Sequence, residues 1–248
     1  MLDPLLIPLL AFGLSFVFAL GGVGSAVALV PVLHSVGLPL LAAKPIGLLV
    51  NTLSMTGASV HNIRAGKLDY RLGAPIILSS FLLAPLGAWS SQWISKPLVL
   101  AVFTLFLVFS GVMLIFFRAG KFAEQFRQDR PLVRLTLIGA LAGFLSGLLG
   151  VGGGGLIAPL MILLGFNPIT VAVITAFVVP FSSLSGLAAY LTMGHADWAT
   201  MLPAAVAAYL GGSLGTRFMH SRLNPATVKK VLGGLLLLLA VKMIFQLV

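Results

Sequence analysis

The sequence predicts an all-α polytopic membrane protein made of two inverted repeats, each with a broken first segment. Three observations lead to this prediction: the composition, a repeat within the chain, and the distribution of basic residues. Of the 248 residues, 59% are hydrophobic and 8% are charged, and the mean hydropathy is +1.14. Soluble domains carry about 25% charged residues, so this chain is expected to lie in a lipid bilayer.

The composition also excludes several classes of chemistry. The chain has no cysteine, four histidines and five acidic residues, so it cannot use thiol chemistry, and neither a metal site nor another cofactor is expected. The acids lie in a linker, at the N-terminus or at predicted helix caps, so an enzyme is not expected either. The net charge of +10 lies in short gaps between apolar runs, which the positive-inside rule explains without nucleic acid.

The chain repeats itself, without a gap, at an offset of 128 residues. Glycines and prolines lead the matches, which include Gly22 with Gly150, Gly24 with Gly152, Pro31 with Pro159, Gly66 with Gly194 and Pro97 with Pro225. We interpret residues 1–118 and 131–248 as two transmembrane repeats and the polar segment 119–130 as the linker between them.

Each repeat contains four apolar runs long enough for a helix to cross ~30 Å of hydrocarbon. In order, they cover residues 5–36, 40–62, 71–93 and 97–117, then 131–164, 168–192, 198–219 and 226–247. The first run of each repeat exceeds 30 residues and contains glycines, "GGVGS" in one repeat and "GVGGGG" in the other. Such a run is too long for one crossing, so we expect a break at the glycines, with Pro31 and Pro159 as further helix breaks.

The basic residues indicate how to count the broken runs. If each run crosses once, there are eight transmembrane helices, the repeats are parallel, and the fifteen Lys and Arg residues divide nine to six between the faces. If the chain turns back at the glycines, each repeat has five helical segments, the repeats are inverted, and the division is twelve to three. The positive-inside rule favours the second arrangement, with both termini outside and the linker in the cytoplasm.

Interrupted helices at matching positions of two inverted halves indicate the binding site of a transporter. A short helix that starts after each break would direct unpaired N–H groups and the positive end of its dipole towards a small anion. Glycines allow the ligand to approach those groups closely. The turn could lie at mid-membrane or at the surface. We expect the substrate site to include Gly22, Gly24, Ser25, Gly152, Gly153, Gly154 and Gly155.

The same stretches resemble the TauE/SafE family of sulfite exporters. "LGVGGGGLIAPLMILLGFNPITVAVITA" resembles the second-half signature of the family, and "GGVGSAVALVPVL" resembles the first-half version. "NIRAGKLDY" and "MGHADW" are similar to its Gly-x-x-Asp-aromatic start of the third segment. The resemblance covers residues 8–245 and implies transport of sulfite, organosulfonates or other small oxyanions.

Polar side chains inside the apolar runs are further candidates. Asn51, Thr175 and Ser182 could donate hydrogen bonds to an oxyanion, with Asn51 and Thr175 as the preferred pair because each lies near the middle of its helix. Lys44 could neutralise the substrate, and His61 with Asn62 could couple transport to protons. The weaker candidates are His34, Thr52, Ser54, Ser183 and Ser185.

Each candidate has a structural alternative. The hydroxyls and amides could bond to a neighbouring helix or to their own backbone, Lys44 could extend to the outer surface, and the histidines could be structural. We interpret Asp69 and Asp197 as helix caps. The residues interpreted as interfacial anchors are Tyr70, Trp89, Trp93, Tyr190 and Trp198.

Together these features predict a secondary transporter that exports sulfite or an organosulfonate, coupled to protons, by alternating access. The alternatives are an anion channel, or an importer of another small anion such as a carboxylate, sulfate or thiosulfate. The expected partners are the anionic substrate and the lipid bilayer, and a homodimer is one assembly open to the chain. A bacterial inner membrane is the expected location.

Overall fold

The structure, a computed structural model, describes residues 5–19, 24–64, 66, 68–116, 126–127, 129–194, 197–222 and 225–245. For residues 19, 58, 61, 216–222 and 225–229, only the backbone is described. The described residues form ten α-helices and no strand. The helices are α1 (Leu6–Ala19), α2 (Ala26–Ser35), α3 (Leu40–Arg64), α4 (Tyr70–Ser90), α5 (Lys96–Phe116), α6 (Leu132–Leu149), α7 (Gly154–Leu163), α8 (Pro168–Thr192), α9 (Trp198–Arg222) and α10 (Pro225–Ile244).

Both long apolar runs are interrupted at their glycines. The first divides into α1 and α2 and the second into α6 and α7, so five helices precede the linker and five follow it. α6 ends because Gly150 adopts a left-handed φ of 76° and donates its N–H to the carbonyl of Ser146 at 2.9 Å, a common way to end a helix. Gly24, just before α2, has a φ of 86°.

The prediction that Pro31 and Pro159 break helices is wrong, because Pro31 lies inside α2 and Pro159 inside α7. A proline inside a helix removes the N–H that would bond the carbonyl four residues earlier. In α7 that carbonyl belongs to Gly155, and it accepts a hydrogen bond from the Ser110 hydroxyl of α5 at 3.0 Å. Because the freed carbonyl has another partner, the helix continues through Pro159.

α3 and α8 run antiparallel where the five helices before the linker meet the five helices after it. Asn51 of α3 donates to Ser183 of α8 at 3.1 Å, whereas further along α3 Ser59 donates to the carbonyl of Ala176 at 2.5 Å. The residue numbers therefore rise along α3 as they fall along α8. The Ser59 bond also satisfies a carbonyl that Pro180 leaves free in α8, as Ser110 does in α7.

α5 and α10 are antiparallel as well. A Cβ on Gly111 of α5 would lie 2.9 Å from the side chain of Leu237, and a Cβ on Gly233 of α10 would lie 2.6 Å from that of Ile115. The close approach of the backbones at Gly111 and Gly233 is typical of helices packed in a membrane.

α4 runs parallel to both α6 and α8. At the start of α4, the ring of Tyr70 contacts that of Phe177 of α8, with centroids 5.8 Å apart. At its end, the hydroxyls of Ser91 and Tyr190 are 3.0 Å apart. The pairing of α4 with α6 is repeated by that of α9 with α1, which is also parallel because Gly211 and Gly215 pack in order on Phe12 and Phe16.

The start of α6 and the end of α7 lie at the same end of the molecule, here called the linker end. The backbone N–H of Arg127, before α6, donates to the carbonyl of Gly165, after α7, at 2.9 Å. The chain therefore goes in through α6 and returns through α7.

α4 also begins at the linker end, where Arg130 pairs with Asp69 at 3.0 Å. Asp69 caps α4 by accepting the N–H groups of Arg71 and Leu72, as predicted. Burial acts to raise the pKa of the Asp69 carboxyl, but the hydrogen bonds from Arg130, Leu72 and Arg71 outweigh it and hold the pKa below its ordinary value.

Four helices within the described ranges are long and apolar enough to cross a membrane: α4, α5, α6 and α8. Large apolar side chains face outwards from them, among them Leu78, Leu105 and Leu137, which are 65%, 70% and 63% exposed. Surfaces of this kind are expected to meet lipid acyl chains. The prediction of an all-α integral membrane protein is confirmed at this level.

Gly147→Leu is expected to destabilise the protein strongly. Along α6, Gly147 faces the backbone of α4, and a Cβ there would overlap the carbonyl of Ala84 and lie 2.7 Å from the N atom of Ala88. Overpacking of this kind costs about 3 kcal/mol. Thermal unfolding of purified protein in detergent measures the loss, with Gly13→Leu as the control because a Cβ at Gly13 meets no atom within 4 Å. Equal unfolding midpoints for the two variants would contradict the packing of α4 on α6.

Candidate functional site

The two helix breaks meet on the side chain of Asn51. Gly24 of the first break and Gly152 of the second occupy equivalent positions in the repeat, and both have left-handed φ angles, 86° and 63°. A Cβ on either glycine would overlap the Asn51 amide. Asn51 is fully buried, and it lies near the middle of α3. Three of the residues predicted for the site are thus brought together, here called the Asn51 site.

Asn51 has unused hydrogen-bonding capacity. Its Nδ2 donates to Ser183, while its Oδ1 has no partner among the described residues. Turning the amide by 180° would let the Ser183 hydroxyl donate to the amide oxygen. The NH₂ group would then point away from Ser183. In either orientation a buried polar atom remains for a ligand, and an unmatched atom of this kind is costly without one.

The short helices that follow the breaks have no side-chain caps. Ser25 precedes α2, and its side chain makes no cap hydrogen bond; its Oγ accepts instead from Ser15 at 2.8 Å. Gly153 precedes α7 and has no side chain with which to cap it, and the N–H of Gly154 bonds to the carbonyl of Gly152 at 2.6 Å. The remaining N–H groups of each first turn, together with the helix dipole, favour an anion.

The start of α7 lies at mid-depth rather than at a surface. A Cβ on Gly153 would lie 3.0 Å from the carbonyl oxygen of Ala142, which is about 15 Å along α6 from its start. α6 itself continues further, to Gly150, which packs against Lys44 near the start of α3. The chain therefore turns close to the end of the molecule opposite the linker end, here called the far end. It then runs back to the middle of the molecule, where α7 begins.

The other glycines predicted for the site differ in position. A Cβ on Gly155 would lie 2.6 Å from the ring of Phe106, so Gly155 allows α7 to pack on α5 instead of facing Asn51. Gly22 lies outside the described residues.

Most of the predicted hydroxyls bond to their own helices. Thr52, Ser54, Ser182 and Ser185 each donate to a carbonyl three or four residues earlier, so the structural alternative holds for Ser182. His34 likewise bonds to the carbonyl of Leu38 through Nδ1 at 3.0 Å.

Thr175 is fully buried and its hydroxyl has no partner among the described residues. It is not close to Asn51, however. Ser183, the α8 residue that contacts Asn51, lies eight residues, or about 12 Å, along the helix. The preferred pair of Asn51 and Thr175 is therefore replaced by Asn51 and Ser183, because α8 crosses α3 at the level of Ser183.

The candidates for charge and coupling lie away from Asn51. Lys44 is only 1% exposed, so it does not extend to the surface, and it is about 10 Å along α3 from Asn51. Asn62 is half-buried near the end of α3. The side chain of His61 lies outside the described part of the chain.

The interpretation of Tyr190 as an interfacial anchor is wrong. The residue is fully buried, and its hydroxyl donates to the carbonyl of Gly147 at 2.9 Å and lies 3.0 Å from that of Ser91. Its position near the end of a helix is typical of both roles, so the sequence does not distinguish them. The other four aromatic residues, Tyr70, Trp89, Trp93 and Trp198, are 43% to 80% exposed, as anchors should be.

Asp197 makes a local contact at the start of α9, where its carboxylate accepts from the Thr200 hydroxyl at 2.5 Å. Among the described residues, no group of three or more His, Cys, Asp or Glu side chains lies together.

Residues 7–243 match the family model described as Sulfite exporter TauE/SafE. The chain is 26% identical over 242 residues to the probable membrane transporter protein y4hK of Sinorhizobium fredii, which covers 94% of this chain and 95% of that protein. It is 34% identical over 110 residues to the probable membrane transporter protein YunE of Bacillus subtilis. This alignment covers 44% of this chain and 40% of the Bacillus protein. Sulfite exporter TauE/SafE family protein 1 of Arabidopsis thaliana is 40% identical over 77 residues, 30% of this chain and 17% of the plant protein.

Proposed function

Because this chain belongs to the sulfite exporter TauE/SafE family, we propose that it is a secondary transporter that exports a small sulfur-containing oxyanion, sulfite or an organosulfonate, through the Asn51 site. The observation that carries the proposal is that Gly24 and Gly152, from the two breaks, both contact Asn51. Irregular backbone within a membrane persists where it is buried in protein or lines a pathway. Two helix starts and an unsatisfied amide at one place suit a compact anion with several oxygen atoms.

The helix directions support inverted repeats, residues 1–118 and 131–248, on either side of the linker 119–130. Parallel repeats would make the equivalent helices α3 and α8 parallel, as they would α5 and α10, whereas both pairs are antiparallel. The hydrogen bond between Arg127 and Gly165 also favours a chain that turns back after α6. Inverted repeats around a central site suit alternating access, in which each half exposes the site to one face in turn.

With the linker in the cytoplasm, twelve of the fifteen Lys and Arg residues lie on the cytoplasmic face, as the positive-inside rule expects of a bacterial inner membrane. His61 and Asn62 then lie near the cytoplasmic end of α3, where they would couple export to protons. Export driven by a proton gradient moves the anion out of the cell as protons enter.

Uptake into proteoliposomes tests the function directly. Purified protein is reconstituted, and the flux of sulfite, sulfoacetate, sulfate, thiosulfate and acetate is measured with and without a proton gradient. We expect flux that saturates with sulfite or sulfoacetate and that rises when the gradient is applied. Flux that does not saturate would indicate a channel, and no flux of any of these anions above that of empty vesicles would refute the proposal.

Single cysteines at Ser25 and Ser183 are expected to be protected by substrate. The chain has no native cysteine, Ser25 precedes α2, and Ser183 is the hydrogen-bond partner of Asn51. Labelling by N-ethylmaleimide should slow at both positions when sulfoacetate is added. Thr192→Cys, at an exposed position at the end of α8, should label at one rate throughout. Unchanged rates at Ser25 and Ser183 with a transported anion would exclude them from the pathway.

A further inference from the structure

A largely apolar cavity with two lysines in its wall lies at the far end of the molecule, where α3 and α5 begin and α4 has just ended. Its volume is about 290 Å³. Lys44, Lys96, Ser91 and Gln92 line it, together with five apolar residues. Lys44 is about 10 Å along α3 from Asn51, so this space, here called the Lys44 cavity, is separate from the Asn51 site.

The charge of the Lys44 cavity is strongly positive. It contains two lysines, and it lies at the N-terminal ends of α3 and α5, neither of which has an acidic residue in its first turn. A lysine at a helix N-terminus is unfavourable with respect to the helix dipole. Lys96 is the first residue of α5, so the cavity combines dipoles and side-chain charges that an anion would offset together.

Lys44 has no acidic partner among the residues that the structure describes. Its side chain is 1% exposed, and within the described residues the salt bridges join only Arg127 to Asp129 and Arg130 to Asp69. A buried ammonium group in a membrane protein normally has a partner of opposite charge, because removing it from water is costly. In this cavity the missing partner is expected to be a bound anion.

The Lys44 cavity lies against the second helix break. A Cβ on Gly150 would lie 2.5 Å from the Cβ of Lys44, so the lysine stem packs directly on the turn. Ser91 of the cavity wall bonds to Tyr190, whose hydroxyl donates to the carbonyl of Gly147 in the last turn of α6. An anion in the cavity would therefore lie next to the turn at Gly150, which leads to Gly152 and its contact with Asn51.

The arrangement is not repeated in the other half of the chain. At the 128-residue offset, Lys44 corresponds to Ala172 and Lys96 to Asn224. The positive cavity is thus a feature of one face of the membrane, the face opposite the linker.

We propose that the Lys44 cavity is a second binding site for a small oxyanion, through which the substrate passes between the Asn51 site and the far face. This inference rests on the proposed transport function. It assigns Lys44 and Lys96 to a site of their own, with Gln92 as a hydrogen-bond donor to the oxygen atoms of the anion.

Isothermal titration of the purified full-length protein with sodium sulfite tests the inference. The wild type should show two binding events. Lys44→Gln combined with Lys96→Gln should remove one, and Asn51→Asp should remove the other. The matched control is Lys230→Gln combined with Lys242→Gln, which removes the same charge from exposed positions and should leave both events.

Lys96→Gln alone keeps the test decisive if the double variant does not fold, because Lys96 is exposed. It should weaken one event about tenfold, which is the loss expected for one charged contact. Unchanged binding by Lys96→Gln, or by the double lysine variant where it folds, would overturn the Lys44 cavity as a site. If the lysine-dependent event is present and Asn51→Asp changes nothing, the proposed central site fails instead. A wild type that binds no sulfite would overturn both.

Discussion

Asn51→Asp is expected to lower oxyanion transport by at least about a hundredfold while the protein remains folded and inserted. The aspartate has nearly the same shape as the asparagine and can still accept a hydrogen bond from Ser183, so packing is kept. Its negative charge, however, lies where the anion should bind. Two like charges ~4 Å apart repel by about 4 kcal/mol at an effective dielectric constant of 20, which exceeds the energy of a hundredfold change. Initial rates of uptake into proteoliposomes measure the effect.

Asn167→Asp is the matched control, since it makes the same chemical change at a half-buried position before α8, away from Asn51. Asn167 precedes α8, and its side chain accepts the N–H of Ile169 at 2.8 Å. Aspartate caps helices as well as asparagine does, so this variant should transport normally. Wild-type rates for Asn51→Asp, in protein whose thermal unfolding is unchanged, would remove Asn51 from the substrate site.

The positions of the breaks could be predicted from the sequence because their causes are local. Glycines such as Gly150 and Gly152 adopt left-handed angles that other residues avoid, and the 128-residue repeat marks the same positions twice. The effects of Pro31 and Pro159 could not be predicted in this way. Whether a proline ends a helix depends on what satisfies the freed carbonyl, and in α7 that partner is Ser110 from a distant helix.

The partner of Asn51 also depends on tertiary structure. Ser183 and Thr175 both lie inside the same apolar helix, and which of them meets Asn51 depends on the direction and level at which α8 crosses α3. The repeat does not resolve this choice. At the offset, Asn51 corresponds to Val179 and Ser183 to Met55, and these two counterparts lie together in a small apolar cluster. The crossing is therefore polar on one side and apolar on the other.

That asymmetry has a consequence for transport. If the two halves move against each other around the α3–α8 crossing, the polar side provides the ligand contacts, and the apolar side provides a dry contact between Met55 and Val179. An apolar contact can part and close without leaving hydrogen-bonding groups unsatisfied. Asn51 and Ser183 are then the contacts whose loss should affect binding, and Met55 and Val179 those whose loss should affect stability.

Gly152→Ala is the second change with a large expected effect, a loss of transport of about a hundredfold. Alanine at this position has to adopt a left-handed angle, which costs about 1 kcal/mol. Its Cβ would also overlap Asn51 and lie 2.5 Å from the Ser183 hydroxyl. Gly194→Ala is the control, since Gly194 has a similar φ of 77° but open space around it. The control should lose a little stability and no transport, so the difference between the variants isolates the contact with Asn51.

Adding Asn51→Ala to Gly152→Ala separates steric overlap from backbone strain. Removing the amide makes room for the new methyl group, so the double variant should lose less thermal stability than the sum of the two single losses. Such non-additivity is expected only of residues in contact. Transport should not recover, because the proposed ligand contact of Asn51 is removed as well. Additive losses of stability would mean that Gly152 does not touch Asn51, and the two breaks would then have no common site.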